Sequence, residues 1–184
     1  LLSFTARNDG LSSLPAANRR GTFMGGSVGY RVSQEDFFRN SSLASVLSDL
    51  KFRASYATVG NVEIGSFPYV GTFGSAQYGS QNGIGFSQAG NPDLRWESSS
   101  KLDIGLDYGF LNNRITGSIE YFRNNISDLI LAAPTAPSLG IPGNSINRNV
   151  GRMVNRGIEF AVNVAAIERD NFRWNVSGNF STVN

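Results

Sequence analysis

The sequence predicts an all-β fold: an antiparallel up-and-down sheet of about seven strands, forming a segment of a transmembrane β-barrel. Its strand-like stretches alternate apolar and polar residues for about a dozen positions. That is roughly double the 5–6 of ordinary soluble strands and enough for the ~9–11 of a tilted membrane strand. Charged residues make up only 16% of the 184 positions, against roughly 25% in soluble domains, and Gly, Asn, Ser and Thr fill the deficit. Long Gly/Pro/Ser/Asn-rich connections alternate with tight turns, as in barrels whose links are short on one side of the membrane and long on the other.

The elements follow in order. Residues 1–8 set Leu2, Phe4 and Ala6 against Ser3, Thr5 and Arg7. Residues 22–32 place Met24, Val28, Tyr30 and Val32 on one face, with small residues and Arg31 on the other. In the connection 33–49, Ser33 ahead of Glu35-Asp36 reads as a helix N-cap, and Phe37, Val46, Leu47 and Leu50 as a short apolar stripe. A small helical turn is expected there. Residues 50–59 alternate Leu50, Phe52, Ala54 and Tyr56 with Lys51, Arg53 and Ser55. Residues 91–128 form a long hairpin turning at Leu111-Asn112-Asn113. Its first strand puts Trp96, Leu102, Ile104, Leu106 and Tyr108 on one face and Glu97, Lys101, Asp103 and Asp107 on the other. The return strand opposes Ile115, Ile119 and Tyr121 to Arg114, Thr116, Ser118 and Glu120. Residues 157–167 set Ile158, Phe160, Val162 and Val164 against Glu159 and Asn163. Residues 172–183 set Phe172, Trp174, Val176 and Phe180 against Arg173, Asn175, Ser177 and Asn179. Loops are expected at 9–21, 60–95 and 132–155, and a second tight turn at 168–171.

Several functions are excluded by composition. Without cysteine or histidine there is no disulfide framework, Cys/His zinc site, thiol nucleophile or His-based triad. A net charge of +2, with no basic cluster beyond Arg19-Arg20, argues against nucleic acid. No run approaches 18 apolar residues, so no transmembrane helix is predicted. Glu97, Asp103, Asp107, Glu120 and Glu159 lie along polar strand faces among Lys101 and Arg114, the pattern of a polar lining. Acid/base catalysis would need two carboxylates converging in a pocket. Gly83-Ile84-Gly85 before Gly90 lacks the spacing and the helix of a nucleotide loop. The sequons at Asn40, Asn125 and Asn175 read as chance in an Asn/Ser-rich chain. No catalytic, cofactor-binding or metal-binding residue is predicted, and the chain does not read as an enzyme. Trp96, Tyr108, Tyr121 and Trp174 stand near strand ends, where aromatic girdles meet a bilayer.

The alternative is a soluble secreted β-sandwich that binds carbohydrate. It predicts shorter strands, more uniform loops, and two sheets burying Leu102, Ile104, Leu106, Ile119, Phe160 and Val162 between them. The barrel predicts one open sheet with those residues uncovered.

The wording of four segments is more specific. Asn91-Pro92-Asp93-Leu94-Arg95-Trp96-Glu97, followed by Asp103-Ile104-Gly105-Leu106-Asp107 and Phe110-Leu111-Asn112-Asn113-Arg114, resembles the SusC/RagA family of TonB-linked outer-membrane transporters. So do Leu50-Lys51-Phe52-Arg53-Ala54-Ser55-Tyr56 running to Gly60-Asn61, and Asn149-Val150-Gly151 with Val154-Asn155-Arg156-Gly157-Ile158-Glu159. The opening Ala6-Arg7-Asn8-Asp9-Gly10-Leu11-Ser12-Ser13 fits an earlier loop. The resemblance implies a bacterial outer membrane, a 22-stranded barrel with an N-terminal plug, and residues 1–184 as part of its C-terminal half. It also implies import of glycans or peptides, a SusD-like lipoprotein lid, and energy from the TonB complex. Plug and TonB box are not among these residues. The chain ends at Ser181-Thr182-Val183-Asn184, where the family ends on a terminal aromatic, and seven strands is an odd number. Further strands are therefore expected. Within the loop 60–95, Phe67, Tyr69, Phe73, Tyr78 and Phe86 are candidates to contact ligand or lid; packing of the loop on itself is the competing reading.

Overall fold

The alternation folds into one antiparallel sheet. The structure is a computed structural model describing residues 1–184, apart from the side chain of Tyr78. Its strands are β1 (Leu2–Gly10), β2 (Arg20–Arg31), β3 (Leu47–Asn61), β4 (Thr72–Tyr78), β5 (Gln81–Gln88), β6 (Glu97–Phe110), β7 (Ile115–Pro134), β8 (Ser145–Arg169) and β9 (Phe172–Val183). Seven of them pair in the order β1-β2-β3-β6-β7-β8-β9, while β4 and β5 form a separate hairpin.

Register keeps the two residue sets apart. One row runs Tyr30–Phe52–Leu106–Ile119–Phe160–Phe180 across six strands. The row beside it runs Arg31–Lys51–Asp107–Ser118–Ala161–Asn179. Side chains alternate with period two, so the sheet has an apolar face and a polar face.

Nothing covers the apolar face. Among the described residues only Leu14, Phe38 and Leu94 form a buried hydrophobic core, while Ile104, Ile119 and Phe160 are 49%, 43% and 37% exposed. The accessible surface is 12541 Å², against roughly 8,700 Å² for a compact protein of this mass. A sandwich would have buried these side chains between two sheets. The single open layer excludes it.

Four expectations are corrected. The loop expected at 132–155 is mostly strand: β7 runs on to Pro134 and β8 begins at Ser145. The extension joins Ala132-Ala133-Pro134 to the mixed run Ser145–Asn155, where Asn and Arg interrupt the apolar residues, so it carries no regular alternation. The loop at 60–95 contains the β4–β5 hairpin, whose Gly/Ser/Gln content masked it. In the connection after β2, the helix α1 (Asp36–Arg39) is capped by Glu35 with no side-chain cap. The Ser33 hydroxyl instead donates to the Asp49 carboxylate at 2.6 Å. The apolar residue buried there is Phe38, whereas Phe37 and Val46 are exposed. Finally, Trp96 precedes β6 and does not continue its apolar row: it packs edge-on against Phe23 at 5.6 Å, and its indole N–H donates to the Arg19 carbonyl.

The β6–β7 turn is as expected, with Leu111, Asn112 and Asn113 all left-handed (φ 52°, 56° and 64°). Asn tolerates this backbone; Leu pays on the order of 1 kcal/mol. Two hydrogen bonds to the neighbouring turn hold it, from Leu111 N to Val46 O and from Asn112 N to Ser48 Oγ.

Candidate functional site

The polar face is organised around Arg53 on β3. Its guanidinium reaches across β6, donating to Asp107 at 3.2 Å and to Glu120 on β7 at 2.6 Å. Lys51 adds a second cation to Asp107 at 3.6 Å. The crossing needs Gly105, the partner of both Arg53 and Glu120. A Cβ at Gly105 would lie 2.8 Å from the Arg53 guanidinium. Gly105→Val is therefore expected to push Arg53 off Glu120 and lower stability by about 1 kcal/mol. A urea-unfolding double-mutant cycle checks this: with Arg53→Met already present, the added side chain has room and its cost should largely vanish.

The other carboxylates are also engaged. Asp103 accepts from Ser55 at 3.1 Å; Glu97 accepts from Asn61 and from the Ile130 N–H, both at 2.8 Å; Glu159 accepts from Ser181. They lie on β6 and β8 and each holds its own donor, with Glu159 directly across from Glu120 of β7, so the arrangement builds a charged, hydrogen-bonded wall. Where β7 meets β8, a depression of about 470 Å³ is lined by Lys101, Asp103, Glu120, Phe122, Asn155 and Glu159. Phe122 was not anticipated. It is directly opposite Asp103 and Gly157, on the polar face. The Tyr121-Phe122 dipeptide was the available signal, since consecutive strand residues point to opposite faces.

At one end of the sheet, the segment 91–96 clasps three loops together. Asn91, 9% exposed, accepts from the Asp93 N–H through Oδ1 and donates from Nδ2 to the Asn147 carbonyl at 2.7 Å. Leu94 is fully buried, as is Leu14 in the β1–β2 loop, and Asn18 of that loop donates to the Leu94 carbonyl. Asn149 on β8 receives the Arg95 N–H and donates to the Arg95 and Asp128 carbonyls. Arg95 pairs with Asp128 at 2.7 Å. That hydrogen bond, with the carboxylate's charge, raises the Arg95 pKa above its ordinary value and keeps the clasp charged. Asp128 has φ 58° and sits in the bulge between Ile126 and Leu129. The bulge aims it at Arg95.

The β4–β5 hairpin stands outside this clasp. Phe73 stacks on Phe86 at 4.6 Å as a cross-strand pair, with Ile84 two residues along the same face. All three are exposed, at 62%, 46% and 82%. Phe67 meets Tyr69 edge-on at 6.3 Å at the base of the hairpin. The side chain of Tyr78, the fifth candidate, lies outside the described residues. The structure thus brings the four aromatics together as two pairs. A cleft of about 390 Å³ separates the base of the hairpin (Ile64, Pro68, Gln88) from Pro142 in the β7–β8 loop and from Ile146 and Asn147 at the start of β8.

An open antiparallel sheet, apolar on one face and ionic on the other, with its loops clasped at one end, is a segment of transmembrane β-barrel wall. The sequence model of the family described as "TonB dependent receptor-like, beta-barrel" matches residues 2–184, and the chain belongs to that family. It is similar to the TonB-dependent receptor SusC of Bacteroides thetaiotaomicron, 33% identical over 98% of this chain, and to the TonB-dependent receptor P3 of Formosa agariphila, 32% identical over 98%. It spans 18% of the length of each. Among solved structures, the RagAB peptide transporter superimposes over 99% of this chain with a TM-score of 0.85 at 28% identity, the match covering 20% of that chain.

Proposed function

We propose that the chain supplies barrel wall and outer-mouth loops to a TonB-dependent receptor in a bacterial outer membrane. The receptor imports large nutrients, glycans or peptides, under a SusD-like lipoprotein lid and with energy from the TonB complex. The observation that carries this reading is the division of one sheet into an uncovered apolar face and an ion-paired polar face. In lipid the first is solvated by acyl chains, and every wall amide closes on a neighbouring strand because the bilayer offers no other partner. The polar face then lines the lumen. The clasped end, with the long connections 11–19, 62–96 and 135–144, is the extracellular mouth. The likeness to the RagAB peptide transporter supports cargo of that kind.

Phe73 and Phe86 are the residues of this segment that meet cargo or lid. A stacked, solvent-exposed aromatic pair is a poor resting state and a good contact. The test is a binding screen of the parent receptor against glycans, peptides and its lipoprotein. Phe73→Ser with Phe86→Ser is expected to weaken one of these about tenfold and leave the barrel's unfolding midpoint unchanged. Unchanged affinity for all three would remove the hairpin from the mouth.

A further inference from the structure

We propose that Arg123, Arg152 and Arg156 form a binding site for the phosphorylated headgroup of an outer-leaflet glycolipid, on the outside of the wall. Arg123 and Arg156 are direct cross-strand partners on the apolar face, the next positions beyond Tyr121 and Ile158. Arg152 lies on the same face of β8, two positions past Val154, which is 50% exposed. All three arginines are exposed. Among the described residues no carboxylate lies within 4 Å of any of them, whereas Arg7, Arg31, Arg53, Arg95 and Arg173 are each paired with one. The sheet carboxylates Glu97, Asp103, Asp107, Glu120 and Glu159 occupy the opposite face, so none can turn toward these guanidinium groups. The one side-chain bond in the group, Arg123 Nε to Asn125 Oδ1 at 3.1 Å, does not use the terminal nitrogens.

Two like charges directly opposed on neighbouring strands destabilise the pair unless a shared anion bridges them. The height selects the anion. On β7 and β8 the arginines stand just past Tyr121 and Ile158, level with Leu102 of β6 and on the side of the clasped loops, so an anion there is joined to acyl chains lying over Ile119, Ile158 and Phe160. Guanidinium forks fit phosphate oxygens two at a time. A phosphorylated, multiply acylated sugar meets both demands: phosphates on the arginines, chains on the apolar row.

The inference rests on reading the apolar face as lipid-facing, and the experiment separates the two. The parent receptor, in detergent micelles, is titrated with diphosphorylated lipid A and followed by native mass spectrometry. R123Q/R152Q/R156Q is expected to bind on the order of a hundredfold more weakly, while the corresponding triple lysine variant retains most of the affinity. Dephosphorylated lipid of the same acyl number should bind the wild type as weakly as the glutamine variant binds lipid A. Equal affinity of wild type and glutamine variant for lipid A overturns the site, as does displacement of the lipid by equimolar inorganic phosphate. Heat-modifiable migration and recovery in the outer-membrane fraction report on the barrel itself. If both hold while the substitutions change nothing, only the lipid site fails; if the wild type lacks both, the lipid-facing reading fails and takes the site with it.

Discussion

Ile119→Arg is expected to destabilise the barrel by ~2–4 kcal/mol, the cost of a guanidinium on the lipid face near the bilayer midplane. Ile119 stands opposite Leu106, the middle of the five apolar residues that β6 turns to this face, and has Phe160 on its other side. Both of its cross-strand neighbours are apolar, and a charged side chain at that depth must snorkel or thin the bilayer. Ser118→Arg is the matched control. It moves the same group by one residue, to the ionic face, where Asp107 is its direct partner. It is expected to be close to neutral. Urea unfolding of the parent receptor refolded into lipid vesicles measures both, and equal costs at the two positions would overturn the assignment of faces.

The second large effect is expected from Leu94→Ala. Leu94 has no exposed surface, and emptying such a site costs ~2–5 kcal/mol. Here the loss is local, because the wall is stabilised by its own strand pairing. The variant should keep its heat-modifiable barrel while the loops 11–19 and 62–96 become protease-sensitive on intact cells. Asn91→Ala should act in the same direction, since it removes the turn to Asp93 and the bond to Asn147 together. Loops as resistant as the wild type in both variants would show that the clasp does not hold the mouth.

What could be read beforehand followed the lipid. Where one face must be apolar, as along Leu102–Ile104–Leu106–Tyr108, period-two alternation reveals strand and face together. β9 was bounded at Phe172 and Val183 by the same signal. Above the apolar row no face is buried: β7 continues as an uninterrupted apolar run, Leu129–Pro134, and β8 begins as an Asn/Arg-rich stretch, and neither alternates. The β4–β5 hairpin was missed for the same reason: its strands contain Gly74, Gly83 and Gly85, and its apolar residues Phe73, Ile84 and Phe86 are too sparse for a pattern. Ser33 looked like a cap because Glu35-Asp36 follow it, but Asp49 from the next strand outcompetes the helix for its hydroxyl. In the site, Asn91-Pro92-Asp93 announced a turn, whereas its role as a clasp depends on Asn147 and Asn149, more than fifty residues away, and spacing cannot reveal them. The Arg53–Glu120 crossing was hidden too, because it depends on what Gly105 lacks.

The overlong β7–β8 hairpin also determines what other cells and molecules can touch. From Arg123 to Pro134 the strand runs for about 35 Å at ~3.3 Å per residue, which at the ~35–45° tilt of barrel strands lifts its tip around Pro137–Asn144 by roughly 25–30 Å above the arginines. An antibody or phage fibre approaching from the medium would reach this tip before any other part of β7 or β8. If the clasped end is the outer mouth, as proposed, residues 135–144 are where a surface tag would be displayed.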